Sequence, residues 1–308
     1  MPLFDLKTIN SEEDSSQKGL SVSLRDLIEQ QKNVRYLSTT KNLITSNLAG
    51  DVKSAFKGRG MEFDEVRAYT NGDDVRYIDW RVTARRNEPF SKIYHEEKDR
   101  EIIVFLDMSA SMIFGTRHEL KVVTAAKLAA LLGWMSFQNK DRFGLVIYDG
   151  KETTYYKPQH NSKLLISLFR IISRKSREIL QKNYIGDISK ALKLLKISHK
   201  GQGTIFILSD FYNVNKQSFQ NITALTRQHK VCCINIFDTI EENAPAGGVY
   251  AAQDNMQKTV FDTASTQFQK KYQEYFASKR TFLQNSCQKF SCQYIEIRTD
   301  IPIFKQLR

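Results

Sequence analysis

The chain has little of what breaks, staples or anchors a fold. Glycine (14) and proline (5) are scarce among its 308 residues, which excludes collagen-like and low-complexity architectures. Its four cysteines, Cys232, Cys233, Cys287 and Cys292, form no CxxC pair and have no histidines at zinc-finger spacing, so neither a disulfide framework nor a structural zinc site is expected. Cys232 and Cys233 stand side by side in an apolar run and read as small buried hydrophobes. No apolar run approaches the roughly 20 residues needed to cross a bilayer. The opening Met1-Pro2-Leu3-Phe4-Asp5, followed by an acidic, serine-rich stretch, lacks the form of a signal peptide, and the expectation is a soluble cytoplasmic protein. Enzyme signatures are missing too: there is no GxxxxGK[ST], no GxSxG and no HExxH. Gly58-Arg59-Gly60 precedes a strand-like stretch instead of a helix, so it is no dinucleotide loop. His95, His118, His160, His199 and His229 are scattered without ligand spacing.

What the chain does have is a surplus of positive charge, +12 in all, with 41% apolar and 26% charged residues. The apolar share supplies a core. The charge permits binding to nucleic acid, anionic lipid or an acidic protein. Basic residues fall in modest clusters such as Lys53-Lys57-Arg59, Arg81-Arg85-Arg86 and Arg170-Arg174-Lys175-Arg177, with no long basic tail.

The hydrophobic period changes three times along the chain. Residues 1–18 are polar and expected to be mobile. From Gly19 to about Asn47 the pattern is helical, with Leu20, Leu24, Leu27 and Ile28 on one face and Ser23 as the N-cap candidate. Residues 50–98 hold short β-prone runs (Phe63, Val66 and Tyr69; Val75 to Val82; Phe90, Ile93 and Tyr94) separated by Asn71-Gly72 and Asn87-Glu88-Pro89. They predict a small antiparallel β subdomain. From residue 99 onward, wholly apolar runs at 102–106, 143–148, 204–208 and 231–236 alternate with helical stretches near 119–139, 162–175, 187–197 and 216–229. Buried strands alternating with helices predict an α/β fold with a parallel sheet covered on both faces. A hairpin is expected at 249–262 with Asp254-Asn255 at its turn, then a long polar helix over 264–290 and a last strand at 294–297.

In open α/β sheets, ligands bind beyond the carboxyl ends of the strands. Immediately after the first buried run comes Asp107-Met108-Ser109-Ala110-Ser111; after the third, Ser209-Asp210-Phe211; after the fourth, Phe237-Asp238. Carboxylates and hydroxyls thus converge on one end of the sheet from separate strands. Such oxygens suit a hard cation, magnesium above all. Neutral hydroxyls leave the metal electrophilic, and it then seeks an acidic ligand from outside. A lone D-x-S-x-S also occurs simply as a turn with an aspartate cap, so its place after a wholly apolar strand is what gives it weight.

Val104-Phe105-Leu106-Asp107-Met108-Ser109-Ala110-Ser111-Met112 resembles the metal-ion-dependent adhesion site of von Willebrand factor A domains. Upstream, the segments from Gly58 to Arg67 and from Gly72 to Arg85 resemble the signature of the bacterial domain of unknown function 58 family. The resemblance covers roughly residues 45–305. It implies a von Willebrand factor A-like (Rossmann-like), mostly parallel sheet with helices on both faces, beside a small N-terminal β-rich subdomain. It also implies a non-enzymatic adaptor that works with a MoxR-type AAA ATPase chaperone or that ATPase's client. By position, Ser109 and Ser111 would touch Mg2+ or Mn2+ directly, with Asp107 and Asp210 acting through waters. The family pattern expects a threonine before an aspartate at the start of a later helix, where this chain reads Gly186-Asp187-Ile188-Ser189. Gly186 offers no side-chain oxygen, and Asp187, Ser189 or a water is left to compensate.

The charged segment at 58–86 admits two readings. Asp73, Asp74, Arg76, Asp79, Arg81, Arg85 and Arg86 form either an internal ion-pair lattice or a docking surface, in which Arg76, Asp79, Trp80, Arg81 and Arg85 meet the partner. Two other functions compete with the adaptor: a nucleic-acid or acidic-membrane binder driven by the basic surface, and a metal-dependent phosphohydrolase with Asp107 as nucleophile. The second is disfavoured because phosphoryl transfer commonly wants an acid two residues on, where this chain has Ser109.

Overall fold

The computed structural model describes residues 18–37, 61–70, 73–96, 100–181, 184–253 and 258–307. The expectations for residues 1–17, for the helical pattern beyond residue 37, for Gly58-Arg59-Gly60, for the Asn71-Gly72 turn and for the Asp254-Asn255 turn fall outside them. The chain divides into two units: Lys41–Asp99, and a larger one assembled from Met1–Thr40 and Arg100–Arg308.

The larger unit begins with α1 (Leu24–Glu29), a 3-10 turn (Gln30–Asn33) and α2 (Val34–Leu37). Ser23 starts α1 through a reciprocal capping box with Asp26, as its place before the apolar periodicity predicts.

The smaller unit pairs β1 (Met61–Ala68) antiparallel with β2 (Phe90–Glu96), with a register shift between Phe63 and Glu65. Between them the chain does not continue as strands. Val75–Tyr77 is a 3-10 turn, and Trp80–Arg86 is a helix, α3. The reason is local. Asp74 accepts from the Arg76 amide at 3.0 Å, and Asp79 accepts from the Arg81 and Val82 amides at 3.0 and 3.2 Å. Two carboxylate caps in six residues override the β propensity of Val75, Tyr77, Ile78 and Val82. Asn87, at φ 59°, ends α3 in the left-handed conformation.

In the larger unit, six strands lie in the order β10-β7-β6-β3-β4-β5. They are β3 (Glu101–Asp107), β4 (Arg142–Tyr148), β5 (Thr153–Gln159), β6 (Gly203–Ser209), β7 (Lys230–Phe237) and β10 (Gln293–Arg298). Five run parallel, and the sheet is flanked by helices, the mostly parallel α/β architecture that the alternation of apolar runs and helices predicts. The exception is the edge strand β5, antiparallel to β4, which the sequence pattern did not mark. Its residues Thr-Thr-Tyr-Tyr-Lys-Pro-Gln are half exposed, and Pro158 sits against Gly144, at home only on an edge.

Helix α4 (Lys121–Gln138) is apolar on every side and buried along nearly its whole length. It lies against the sheet and under α1 and α5 (Ser162–Gln181). Trp134 Nε1 donates to the Leu27 carbonyl at 3.1 Å, and Ser173 Oγ to the Val22 carbonyl at 2.9 Å, which fixes the N-terminal segment in this layer. The opposite face of the sheet packs on α6 (Ile188–Ser198) and α7 (Lys216–Thr226) through Ile103, Phe105, Ile205, Ile207, Leu192 and Ile222. After β7 come α8 (Thr239–Glu242), the hairpin β8 (Val249–Gln253) with β9 (Lys258–Asp262), the long helix α9 (Thr266–Lys289), β10, and α10 (Ile303–Gln306).

From β3 the chain moves to β4 and β5 on one side, then crosses to β6, β7 and β10 on the other. The connections therefore leave β3 and β6 in opposite directions, and a crevice opens between their carboxyl ends.

Candidate functional site

Asp107 is the last residue of β3, and Ser209 ends β6 with Asp210 immediately after it, so both carboxylates stand at that crevice. Asp107 is buried. Its Oδ1 accepts from the Ser109 amide at 2.9 Å and its Oδ2 from Ser209 Oγ at 2.6 Å. Burial, and then the charge of Asp210, push its carboxyl up to about 6. Both donors are neutral, so the Asp107 charge has no direct counter-ion.

The turn after Asp107 aims two hydroxyls the same way. Ser109 Oγ and Ser111 Oγ are 3.4 Å apart, and Ser111 Oγ donates to Asp210 Oδ1 at 3.1 Å. The Ala110 amide donates to the Tyr184 carbonyl at 3.0 Å and ties this turn to the segment before α6. The Tyr212 amide also donates to Asp210 Oδ1, at 3.0 Å.

The other oxygen of Asp210 carries a group that the sequence did not announce. Lys121, the first residue of α4, is 2% exposed, and its Nζ donates to Asp210 Oδ2 at 2.7 Å and to Glu241 Oε1 at 2.9 Å. Burial alone would lower the Lys121 pKa, but the two carboxylates outweigh it and hold the ammonium above its usual range. A cation at a helix amino terminus opposes the dipole by about 0.3–1 kcal/mol. That misplaced charge at the head of a largely apolar helix was the available signal for Lys121. Nearby, Lys279 Nζ reaches the Asp210 main-chain oxygen at 3.3 Å and the face of Tyr212, and burial lowers its pKa.

Asp107, Ser109, Ser111 and Asp210 are thus brought together. Asp187 is engaged elsewhere: it caps α6, accepting from the Ser189 amide at 2.9 Å and from Ser189 Oγ at 2.6 Å. These bonds, the hydroxyl first, hold its carboxyl below the usual range. Asp238 is wholly buried and saturated by Thr116, Thr299 and the Ile240 amide, a structural role as cap of α8. At residue 186 no threonine can stand. A Cβ on Gly186 would overlap the Gly150 carbonyl oxygen and the Tyr148 hydroxyl, which themselves bond at 3.2 Å.

The oxygens that a metal at this crevice would meet are Ser109 Oγ, Ser111 Oγ and Asp210 Oδ1, the last already accepting from Ser111 Oγ and the Tyr212 amide. Among the described residues no group of three His, Cys, Asp or Glu side chains is placed to hold an ion. Three hard oxygens beside the uncompensated charge of Asp107 fit a magnesium-type cation that keeps waters in its shell. The pocket alongside, lined by Tyr212, Phe237, Tyr272, Phe276 and Lys279, measures about 170 Å³. That is below the roughly 300–1,000 Å³ of small-molecule sites.

In the smaller unit three aspartates are ion-paired. Asp73 pairs with Arg67 at 2.6 Å, Asp74 with Arg76 at 2.6 Å, and Asp79 with Lys92 at 3.5 Å. Arg81 and Arg85 are exposed, and Trp80 is 68% exposed.

Residues 65–282 match the family described as "Protein of unknown function DUF58". The uncharacterized proteins Mb1516 of Mycobacterium bovis and Rv1480 of Mycobacterium tuberculosis are each 29% identical over 217 residues, spanning 70% of this chain and 67% of theirs. Among solved structures, BatB from Bacteroides thetaiotaomicron aligns over 67% of this chain and 94% of its own, at 15% identity and a TM-score of 0.42. The SpRpn10 VWA domain aligns over 68% and 94%, at 9% identity and a TM-score of 0.36. With more than two hundred residues matched, the chain belongs to the DUF58 family.

Proposed function

We propose that this protein is a non-enzymatic adaptor that captures a carboxylate of another protein at the crevice between β3 and β6, with Mg2+ or Mn2+ bridging the two. The observation that carries this reading is the chain of oxygens Ser109 Oγ, Ser111 Oγ and Asp210 Oδ1 at the switch point of the sheet. When bound, the cation supplies an electrophile for an acidic side chain. Ser109, Ser111 and Asp210 would hold it, while Asp107 orients the turn through the Ser109 amide and Ser209 fixes Asp107. The partner proposed is a MoxR-type AAA ATPase or its client, met in the cytoplasm.

A second contact for the same partner is the face of α3, where exposed Trp80 stands with Arg81 and Arg85, and Arg76 beside them in sequence. Exposed aromatic and arginine side chains are what interface centres favour. Asp79 serves this face indirectly, as the cap that forms the helix.

The test is binding of the MoxR-type ATPase from the same genome to the full chain by interferometry, in magnesium and in chelator. Tight binding in magnesium should weaken at least tenfold in chelator and in the S109A/S111A variant. Binding of equal strength in all three conditions would sink the reading.

A further inference from the structure

Lys121 is a buried cation inside the very cluster that would bind another one. Its Nζ is held from two sides, by Asp210 Oδ2 at 2.7 Å and Glu241 Oε1 at 2.9 Å, and Glu241 is itself fixed by accepting from the Asp238 amide at 2.8 Å. Asp210 accepts from the Ser111 hydroxyl, as Asp107 does from the Ser109 amide, and both Asp210 carboxylate oxygens are in use: Oδ2 by Lys121, Oδ1 by Ser111 Oγ and the Tyr212 amide. Lys279 adds a second ammonium at the Asp210 main-chain oxygen, 3.3 Å away.

We propose that Lys121 is a resident counter-ion that keeps the affinity of the strand-end site for divalent metal low, so that the site fills only when a partner brings its own carboxylate. The inference rests on the reading that Ser109, Ser111 and Asp210 hold the metal. A divalent cation on Oδ1 must turn the Ser111 hydroxyl proton away and must share one carboxylate with an ammonium already on its other oxygen. The pair is buried, so little water screens the repulsion between the two cations. The ammonium cannot retreat, because Glu241 anchors it. A carboxylate arriving from outside changes the balance by adding one negative charge on the metal's open side. Metal and partner then favour each other reciprocally. Without Lys121 the cluster would keep the carboxylates of Asp107, Asp210 and Glu241 and lose the one ammonium bonded between two of them.

The experiment is calorimetric titration of manganese chloride alone into chelator-treated full-length protein. Five chains are compared: the natural one, S109A/S111A, K121M, K121M/E241Q, and K121M with S109A/S111A. The double variant removes one carboxylate together with the ammonium, which preserves the charge balance should K121M alone fail to fold. K121M or K121M/E241Q should bind manganese at least tenfold more tightly than the natural chain, and the gain should vanish with the serines. Equal affinity in the natural chain and both lysine variants would overturn the role of Lys121. If in that case S109A/S111A in the natural background abolishes the shared binding, the metal site itself survives. Absence of manganese binding in every chain up to millimolar concentration would overturn both.

Discussion

The hydroxyl of Tyr148 and the backbone of Gly186 meet so closely that residue 186 has no room for a first side-chain atom. The position where the family pattern wants a threonine oxygen is filled from the neighbouring strand. Gly186→Thr should therefore destabilise the fold by about 1–3 kcal/mol, as overpacking does, and lower Tm by several degrees. It should not improve metal binding. A stable Gly186→Thr protein with higher manganese affinity would contradict this packing.

The N-terminal helix should behave as part of the core. Leu27 is fully buried, and its carbonyl receives the Trp134 indole. Leu27→Ala is expected to cost about 2–5 kcal/mol. Trp134→Phe, which leaves that carbonyl without its donor, should cost at least the roughly 1–3 kcal/mol of a buried unsatisfied group. Urea unfolding of each variant measures both. A change under 0.5 kcal/mol for Leu27→Ala, about the level of an ordinary surface substitution, would mean that the segment is only an appendage.

One buried histidine should work against the fold in mild acid. His229 is buried beside His199, their ring centres 5.0 Å apart, and its Nδ1 has no hydrogen-bond partner. Burial first, and then His199, lower its pKa to about 4. The unfolded chain binds this proton near pH 6.5, the folded chain only near 4. Stability is thus complete above pH 6.5 and declines as pH falls toward 4, by up to about 3 kcal/mol from this one group. Denaturation midpoints at pH 7 and pH 4.5 should differ less in His229→Leu. An identical drop in both chains would assign the acid sensitivity to other groups.

Thiol reactivity should be strongly uneven. Cys232 is buried, and burial drives its thiol up to about 12; the neighbouring sulfurs of Cys287 and Cys292, and then burial, push Cys233 up as well. Cys292 is only half buried. Alkylation at pH 7.5 followed by peptide mapping should modify Cys292 first, and Cys232 and Cys233 only after unfolding. Early labelling of Cys232 would mean that β7 opens to solvent.

What could be read from the sequence followed the strength of the local signal. The runs that became β3, β4, β6 and β7 are apolar on both faces, and only a doubly covered sheet accepts them. The Asp107 to Ser111 turn was legible because it directly follows such a run. The edge strand β5 was not, since an edge needs neither alternation nor burial, and Pro158 argues locally against a strand. The strand expected around Val75 to Val82 was lost to two aspartate caps whose pull exceeds residue preference. Lys121 and Glu241 lie 120 positions apart, and no spacing rule links them to Asp210. Only the fold makes them one cluster.

The bond between Leu27 and Trp134 joins residues 107 positions apart, and the whole smaller unit lies between them in the chain. On the ribosome, at about 5–20 residues per second, the first helix therefore emerges on the order of 5–20 s before the tryptophan that will cover it. Throughout that interval its apolar stripe of Leu24, Leu27 and Ile28 is bare, and residues 41–99 have all been made. This helix cannot dock when it is made; it waits for a partner translated later, and its stripe stays uncovered until then.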